Sequence, residues 1–268
     1  MVASDSVGTE RGLRLGVDVV GVARSVPTES EATIGLKLRR ARRELGFPPV
    51  SRARDDGLLA VGGTLSAERL LVAYANGIFP WPSSKRAPIP WFCPSPRTVL
   101  VPGQIRVNRS LRRAVRRAPF TVTFDRAFPA VITACARVPR QDQGTWITPA
   151  MVDAYTELHE LGFAHSVETW NGDELVGGVY GVSLGAAFFG ESMFTLEPDA
   201  SKIALYTLLR RLEAWEFRFL DCQMTTPHVV RLGAAEWSQD HFQSELHHAL
   251  EAETRRGPWS APGPAAMA

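Results

Sequence analysis

Apolar positions recur along this chain with three different rhythms. From residue 1 to about 31, glycine, serine, valine and charged residues mix without a helical or strand period, which predicts a weakly ordered extension over 1–40. The basic run KLRRARREL that follows fits either a solvated helix or an arm for nucleic acid. A helical period starts behind Ser66, a natural N-cap, with Leu70, Leu71, Ala73 and Tyr74 on one stripe and Gly77 as the stop. The proline-rich stretch FPWPSSKRAPIPWFCPSPRTVLVP then breaks every period, and predicts neither a long helix nor a central strand. A short helix opening at Ser110 gathers Arg112, Arg113, Arg116 and Arg117 on one side.

The second half is far more regular. AHSVETW and ELVGGVYGV alternate like strands and are joined by Asn171-Gly172-Asp173, the residues a tight hairpin turn requires. SLG leads on to AAFFGESMF, which completes a three-stranded antiparallel meander. Asp199 or Ser201 then caps a helix whose apolar stripe runs through Ile203, Leu205, Leu208, Leu209, Leu212 and Trp215. FRFLDCQM, residues 217–224, is a further strand. Strands, a helix and another strand predict an α+β fold with a mixed, mostly antiparallel sheet.

Alternation decides which polar groups share a face. Phe217, Phe219, Asp221 and Gln223 fall on one side of the last strand; Arg218, Leu220, Cys222 and Met224 fall on the other. Cys222 therefore sits among apolar neighbours, the station of an inert thiol, and a Cys222–His228 dyad is disfavoured. Asp221 and Gln223 project together about 6.5–7 Å apart. Their bland reading is a hydrogen-bonded pair closing a strand end. Glu191, expected to share its face with Phe189 and Met193, supplies a second carboxylate and favours a site.

Composition removes several classes of function. At 268 residues and 45% hydrophobic, the chain can bury a large core, and its net charge of +2 specifies no partner. No apolar run is long enough for a membrane span, and no signal-peptide order opens the chain. Three scattered cysteines, Cys93, Cys135 and Cys222, argue against disulfides and cysteine-bound zinc, and fit a reducing cytosol. His159, His165, His247 and His248 lack the spacing of a metal site.

Nine strings occur in one order: GLLAVGGTLSAERLLVAYANGIFPW, WFCPSPR, GTWIT, AYTELHELGFAHSVE, LVGGVYGV, FFGESMF, ASKIAL, LDCQ and HVVRLGA. From about Phe47 to about Leu250 the chain thereby resembles leucyl/phenylalanyl-tRNA–protein transferase. The resemblance implies a small N-terminal domain over 41–99, a GNAT-like acyltransferase domain over 100–256 and a disordered tail over 257–268. It implies transfer of leucine, or phenylalanine or methionine, from aminoacyl-tRNA to the N-terminal amine of proteins that begin with Arg or Lys. Such a product is an N-degron of the bacterial N-end rule. No metal or coenzyme is implied, and the enzyme is expected to be a cytoplasmic monomer without a membrane partner.

Carried over by position, Asp221 and Gln223 match the catalytic pair and Glu191 a supporting carboxylate. Trp81 and Trp146 match the tryptophans that hold the terminal adenosine, while Val179, Phe188 and Leu208 match the pocket for the transferred side chain. Arg112, Arg113, Arg116 and Arg117 match a basic cluster for the acceptor stem. Thr64 stands where relatives usually have Asp, and Leu196 and Gln239 stand where they usually have Arg, which weakens the expected RNA contact. Two rivals remain: an acetyl-CoA-dependent acyltransferase, which lacks its glycine-rich pyrophosphate loop before the helix at Ser201, and a non-catalytic RNA-binding protein, which leaves the Asp221–Gln223–Glu191 group without a purpose.

Overall fold

The computed structural model describes residues 31–82, 87–117, 120–137 and 145–260. Most of the predicted extension, and residues 261–268 of the tail, lie outside the described residues. Where the extension is described it is a helix, α1 (Glu31–Arg40), which corrects the weakly ordered reading for those ten residues. Leu38 is buried, and the Arg39 guanidinium donates to the carbonyls of Ala75 and Gln243 and to the Gln243 amide oxygen. One long-range anchor thus orders a segment whose own pattern is weak.

A small antiparallel sheet follows, in the order β1-β3-β2, from Leu58–Val61 (β1), Phe79–Pro80 (β2) and Pro90–Phe92 (β3). Helix α2 (Ala67–Ala75) packs with it, and Ser66 accepts from the Arg69 backbone N–H as the expected cap. Strand β4 (Arg97–Leu100) comes next and lies inside the large sheet between two neighbours. The proline-rich stretch therefore does yield a central strand: between Pro96 and Pro102 it is free of proline, and the four residues after Pro96 can all donate to a ladder.

The large sheet has the order β10-β4-β9-β8-β7-β6-β5. Its other strands are β5 (Thr121–Phe124), β6 (Ala164–Asn171), β7 (Glu174–Leu184), β8 (Ala187–Thr195), β9 (Phe219–Gln223) and β10 (Ala235–Trp237). The hairpin at residues 171–173 and the meander form as the sequence predicts. Every pairing is antiparallel except β8 with β9, the crossover made by helix α6 (Ala200–Ala214). This single parallel pair within an antiparallel sheet fits the acyltransferase-like arrangement that the resemblance implies.

Helices cover both faces. On one face α2, α4 (Phe128–Arg137), α5 (Pro149–Glu160) and α8 (Gln239–Ala249) build a core with Tyr180, Val182, Phe189 and Phe219, and this core also seats the small sheet. On the other, α6 and α3 (Arg109–Arg117) cover Val179, Phe188 and Leu220. Helix α3 begins at Arg109, one residue before the expected opening, and Asn108 caps it, accepting from the Leu111 N–H at 2.8 Å. Asp199 stands at the N-cap of α6 without a side-chain capping bond. A short helix, α7 (Pro227–Arg231), joins β9 to β10.

Candidate active site between the splayed strands

Two β-bulges face each other on the only parallel pair of the described sheet. On β8, Tyr180 pairs with Ser192 and Gly181 with Gly190, leaving Glu191 as the extra residue. On β9, Val99 pairs with Asp221 and Thr98 with Gln223, leaving Cys222 extra. Bulges bend and twist a strand. The parallel pairing accordingly stops after Phe189 and Asp221, and the strands part just beyond.

The bulge on β8 corrects one expectation. Glu191 does side with Phe189, but Met193 packs against the opposite core, because the extra residue shifts the alternation by one. Strand β9 spans Phe219–Gln223 rather than 217–224, and within it the expected faces survive; Phe217, expected beside Asp221, precedes it and packs in the second core. Asp221 and Gln223 address the first core, and Cys222 packs against the second. Burial, with the Asp221 carboxylate nearby, pushes the Cys222 thiol well above the usual range, and no contact joins it to His228. A thiol held in its protonated form is a poor nucleophile.

Across the parting, side chains take over from backbone. Gln223 Nε2 donates to Glu191 Oε1 at 2.9 Å. The same oxygen accepts from the Tyr74 hydroxyl at 2.6 Å, and Glu191 Oε2 accepts from Tyr155 at 3.2 Å. The two phenols also touch each other. Burial pushes Glu191 up to about 7 against the pull of those three donors, so near neutrality it is divided between acid and carboxylate. Burial and the neighbouring carboxylate raise both tyrosines well above their ordinary value and keep them as phenols.

Asp221 has a different station from the one its carboxylate suggests. It is fully buried, and both its oxygens are engaged by Arg97, Nε at 2.9 Å and Nη2 at 2.7 Å. Oδ1 also accepts the Gln223 backbone N–H at 2.8 Å. Burial opposes the Arg97 charge, yet the Asp221 carboxylate outweighs it and holds the guanidinium above its usual value. The guanidinium lies between the rings of Phe79 and Phe242, 4.9 and 4.7 Å from their centroids. Asp221 therefore offers no free charge to a substrate. It fixes Gln223 in a left-handed conformation, φ 63°, which a non-glycine residue adopts only when its surroundings impose it.

The other expected residues fall into three places. Trp81 and Trp146 are both half-buried and touch, with centroids 6.3 Å apart and planes at 62°. They make an edge-on corner packed against the first core, not a parallel sandwich. Val179, Phe188 and Leu208 are all buried in the second core, on the side of the sheet away from Glu191. The strands part beyond Phe189 and Asp221, and half-buried Gly190 and Met193 stand there. Arg112, Arg113, Arg116 and Arg117 are exposed and, with Arg109, line a hollow of about 370 Å³. Of the substituted positions, Leu196 is exposed at the strand end, and Gln239 spends its amide on the Val50 carbonyl at 2.9 Å.

Three site residues escaped the sequence. Arg97 follows the proline run, where no strand was expected; Tyr74 read as core in the period of α2; Tyr155 lay inside a helical string. His159 and His165 bond to the Ala164 carbonyl and to Asp125, and among the described residues no group of three His, Cys, Asp or Glu gathers as metal ligands.

A split parallel pair inside an antiparallel sheet, bridged by an amide and a carboxyl, fits the acyltransferase-like fold that the resemblance implies. The model of the leucyl/phenylalanyl-tRNA protein transferase family matches residues 99–247, and that of its N-terminal domain matches residues 63–95. Relatives named leucyl/phenylalanyl-tRNA–protein transferase agree over most of their length. That of Myxococcus xanthus is 55% identical over 215 residues, 80% of this chain and 92% of its own. Those of an Anaeromyxobacter species and Syntrophobacter fumaroxidans are 52% identical (84% and 95% covered) and 56% identical (77% and 88% covered). The chain belongs to the leucyl/phenylalanyl-tRNA protein transferase family.

Proposed function

We propose that the chain moves leucine, phenylalanine or methionine from aminoacyl-tRNA to the N-terminal amine of a protein that begins with Arg or Lys, in the cytoplasm, as a monomer, and so creates an N-degron. The observation that carries this reading is the Gln223–Glu191 bridge across the parted strands, with an indole corner packed on the near core and a closed apolar core on the other side of the sheet. The terminal adenine stacks on Trp81 or Trp146, a sequence-tolerant contact suited to an end that all tRNAs share. The arginines of α3 meet phosphates. The aminoacyl side chain passes through the gap towards Val179, Phe188 and Leu208. Such a pocket selects by size and polarity, and one methylene is worth only about 1–3 kcal/mol, so three apolar donors can share it.

The chemistry is aminolysis of an ester. The acceptor nitrogen forms the new C–N bond, the C–O bond to the ribose breaks, and the amine proton ends on the departing ribose hydroxyl. An α-amine has a pKa of roughly 7.7–8, so a useful fraction is neutral at cytoplasmic pH, and positioning supplies much of the acceleration. Gln223 gives its Nε2 to Glu191, which leaves its Oε1 to accept a hydrogen from the amine. Glu191, near its midpoint at neutrality, can take that proton and return it. Asp221 with Arg97 holds Gln223 in place.

The test mixes purified protein, radiolabelled leucyl-tRNA and peptides that begin with Lys, Arg or Ala. Label on the first two peptides alone is the expected result. Retention of tRNA without transfer, or acetyl transfer from acetyl-CoA, would replace this reading.

A further inference from the structure

The segment after α8 lies beyond the family-model match yet is woven into the second core. Thr254 Oγ1 accepts the Gly185 N–H at 2.8 Å, where β7 turns into β8. Trp259 is buried, and its backbone N–H donates to Asp125 Oδ2 at 2.6 Å. Its ring stacks on His165, with centroids 3.9 Å apart and planes at 9°, and its carbonyl accepts from Arg211 Nη1 at 3.1 Å. The indole also meets the ring of Phe188, with centroids at 5.7 Å. Trp215 and Phe217 close the remaining sides.

We infer that Trp259 sets the depth of the donor side-chain pocket by backing Phe188, and is thus a specificity-determining, positioning residue of the reaction. Phe188 stands two residues before Gly190 on β8, about 6.5–7 Å back from the gap where an aminoacyl group would enter. Something must stop Phe188 from retreating when a longer side chain presses on it. Its partner on β9, Leu220, is beside it in the sheet, not behind it. Trp259 meets it from within the same core and cannot itself recede, because its backbone is tied to Asp125 and Arg211 and its ring is held flat on His165. A rigid stop suits leucine, and shortening the stop lets Phe188 yield to a larger donor.

This inference rests on the assignment of Val179, Phe188 and Leu208 as the donor pocket, so the experiment tests both. Transfer from leucyl-tRNA and from phenylalanyl-tRNA is compared in the full chain for Trp259→Ala, Trp259→Phe and Phe188→Ala, with thermal unfolding recorded for each. The kcat/KM ratio of phenylalanine to leucine should rise about tenfold in Trp259→Ala, the scale of one methylene or more of added space. Trp259→Phe should give a smaller rise in the same direction. A purely structural tryptophan would depress both donors alike and leave the ratio unchanged, which overturns the inference. If Phe188→Ala shifts the ratio and neither Trp259 variant does, the pocket stands and Trp259 has no part in it. If no variant shifts the ratio, the pocket assignment falls as well. Should Trp259→Ala fail to fold, the ratio in Trp259→Phe decides.

Discussion

The two faces of the large sheet use the same strands for opposite purposes. The face towards the small sheet carries Glu191, Asp221, Arg97, Tyr74 and Tyr155, joined by hydrogen bonds in an otherwise apolar core. The face towards α6 is mainly apolar: its buried polar groups His165 and Thr169 sit on β6, and Cys222 is the most polar group packed on it from β9. Buried polar groups are costly unless every partner is present, whereas an apolar core tolerates small losses. The lesson is that one face stores precision and the other stores volume. Adjacent residues of β9, Asp221 and Cys222, should therefore respond very differently to substitution.

The largest expected effect is on the polar face. Asp221→Ala leaves the Arg97 guanidinium buried without its counter-charge, and should cost about 3–5 kcal/mol in urea unfolding. A loss under about 1 kcal/mol would show that the pair is not the keystone of that face.

Glu191→Gln comes next. Turnover should fall about a hundredfold, with a smaller change in tRNA affinity, as for a lost proton acceptor. Its effect on stability has a definite sign. The folded chain keeps a proton on Glu191 up to about pH 7, whereas the unfolded chain releases it near 4.5. Between those values the folded state binds more protons, so Glu191 makes stability fall as pH rises, by roughly 3 kcal/mol across the window. The difference between wild-type and Glu191→Gln unfolding curves should show that slope, and parallel curves would place the carboxyl in an ordinary environment.

Changing Arg112, Arg113, Arg116 and Arg117 together to Gln leaves both faces intact and should act on RNA alone. tRNA binding should weaken about tenfold or more, and the slope of log affinity against log salt should shrink by roughly 3. An unchanged slope would mean that the hollow on α3 meets no phosphates.

The smallest effect belongs to the apolar face. Cys222→Ala removes one partly exposed sulfur, and should shift stability by about 1 kcal/mol or less and leave transfer within about twofold. A hundredfold loss would return the thiol to the chemistry.

The pattern of apolar positions made the meander and α6 legible because each carries a sustained period, and it placed Phe219 to Gln223 on the right faces of β9. It misled at Met193, because a bulge adds one residue without any mark in the sequence. It hid β4, because prolines one and three residues upstream signal a loop while the ladder starts immediately after them. Arg97 was invisible as a partner of Asp221 for the same reason: they lie 124 residues apart and meet only once the sheet forms. The separation of Val179, Phe188 and Leu208 from the carboxyl group could not be read either, since it depends on where two paired strands part.

Arg97 lies clasped between Phe79 of the small sheet and Phe242 of α8. Its grip on Asp221 thus borrows one ring from the front of the chain and one from the end. A ribosome-bound fragment that lacks α8 therefore holds every residue of the Glu191–Gln223 bridge, yet leaves one face of the guanidinium uncovered.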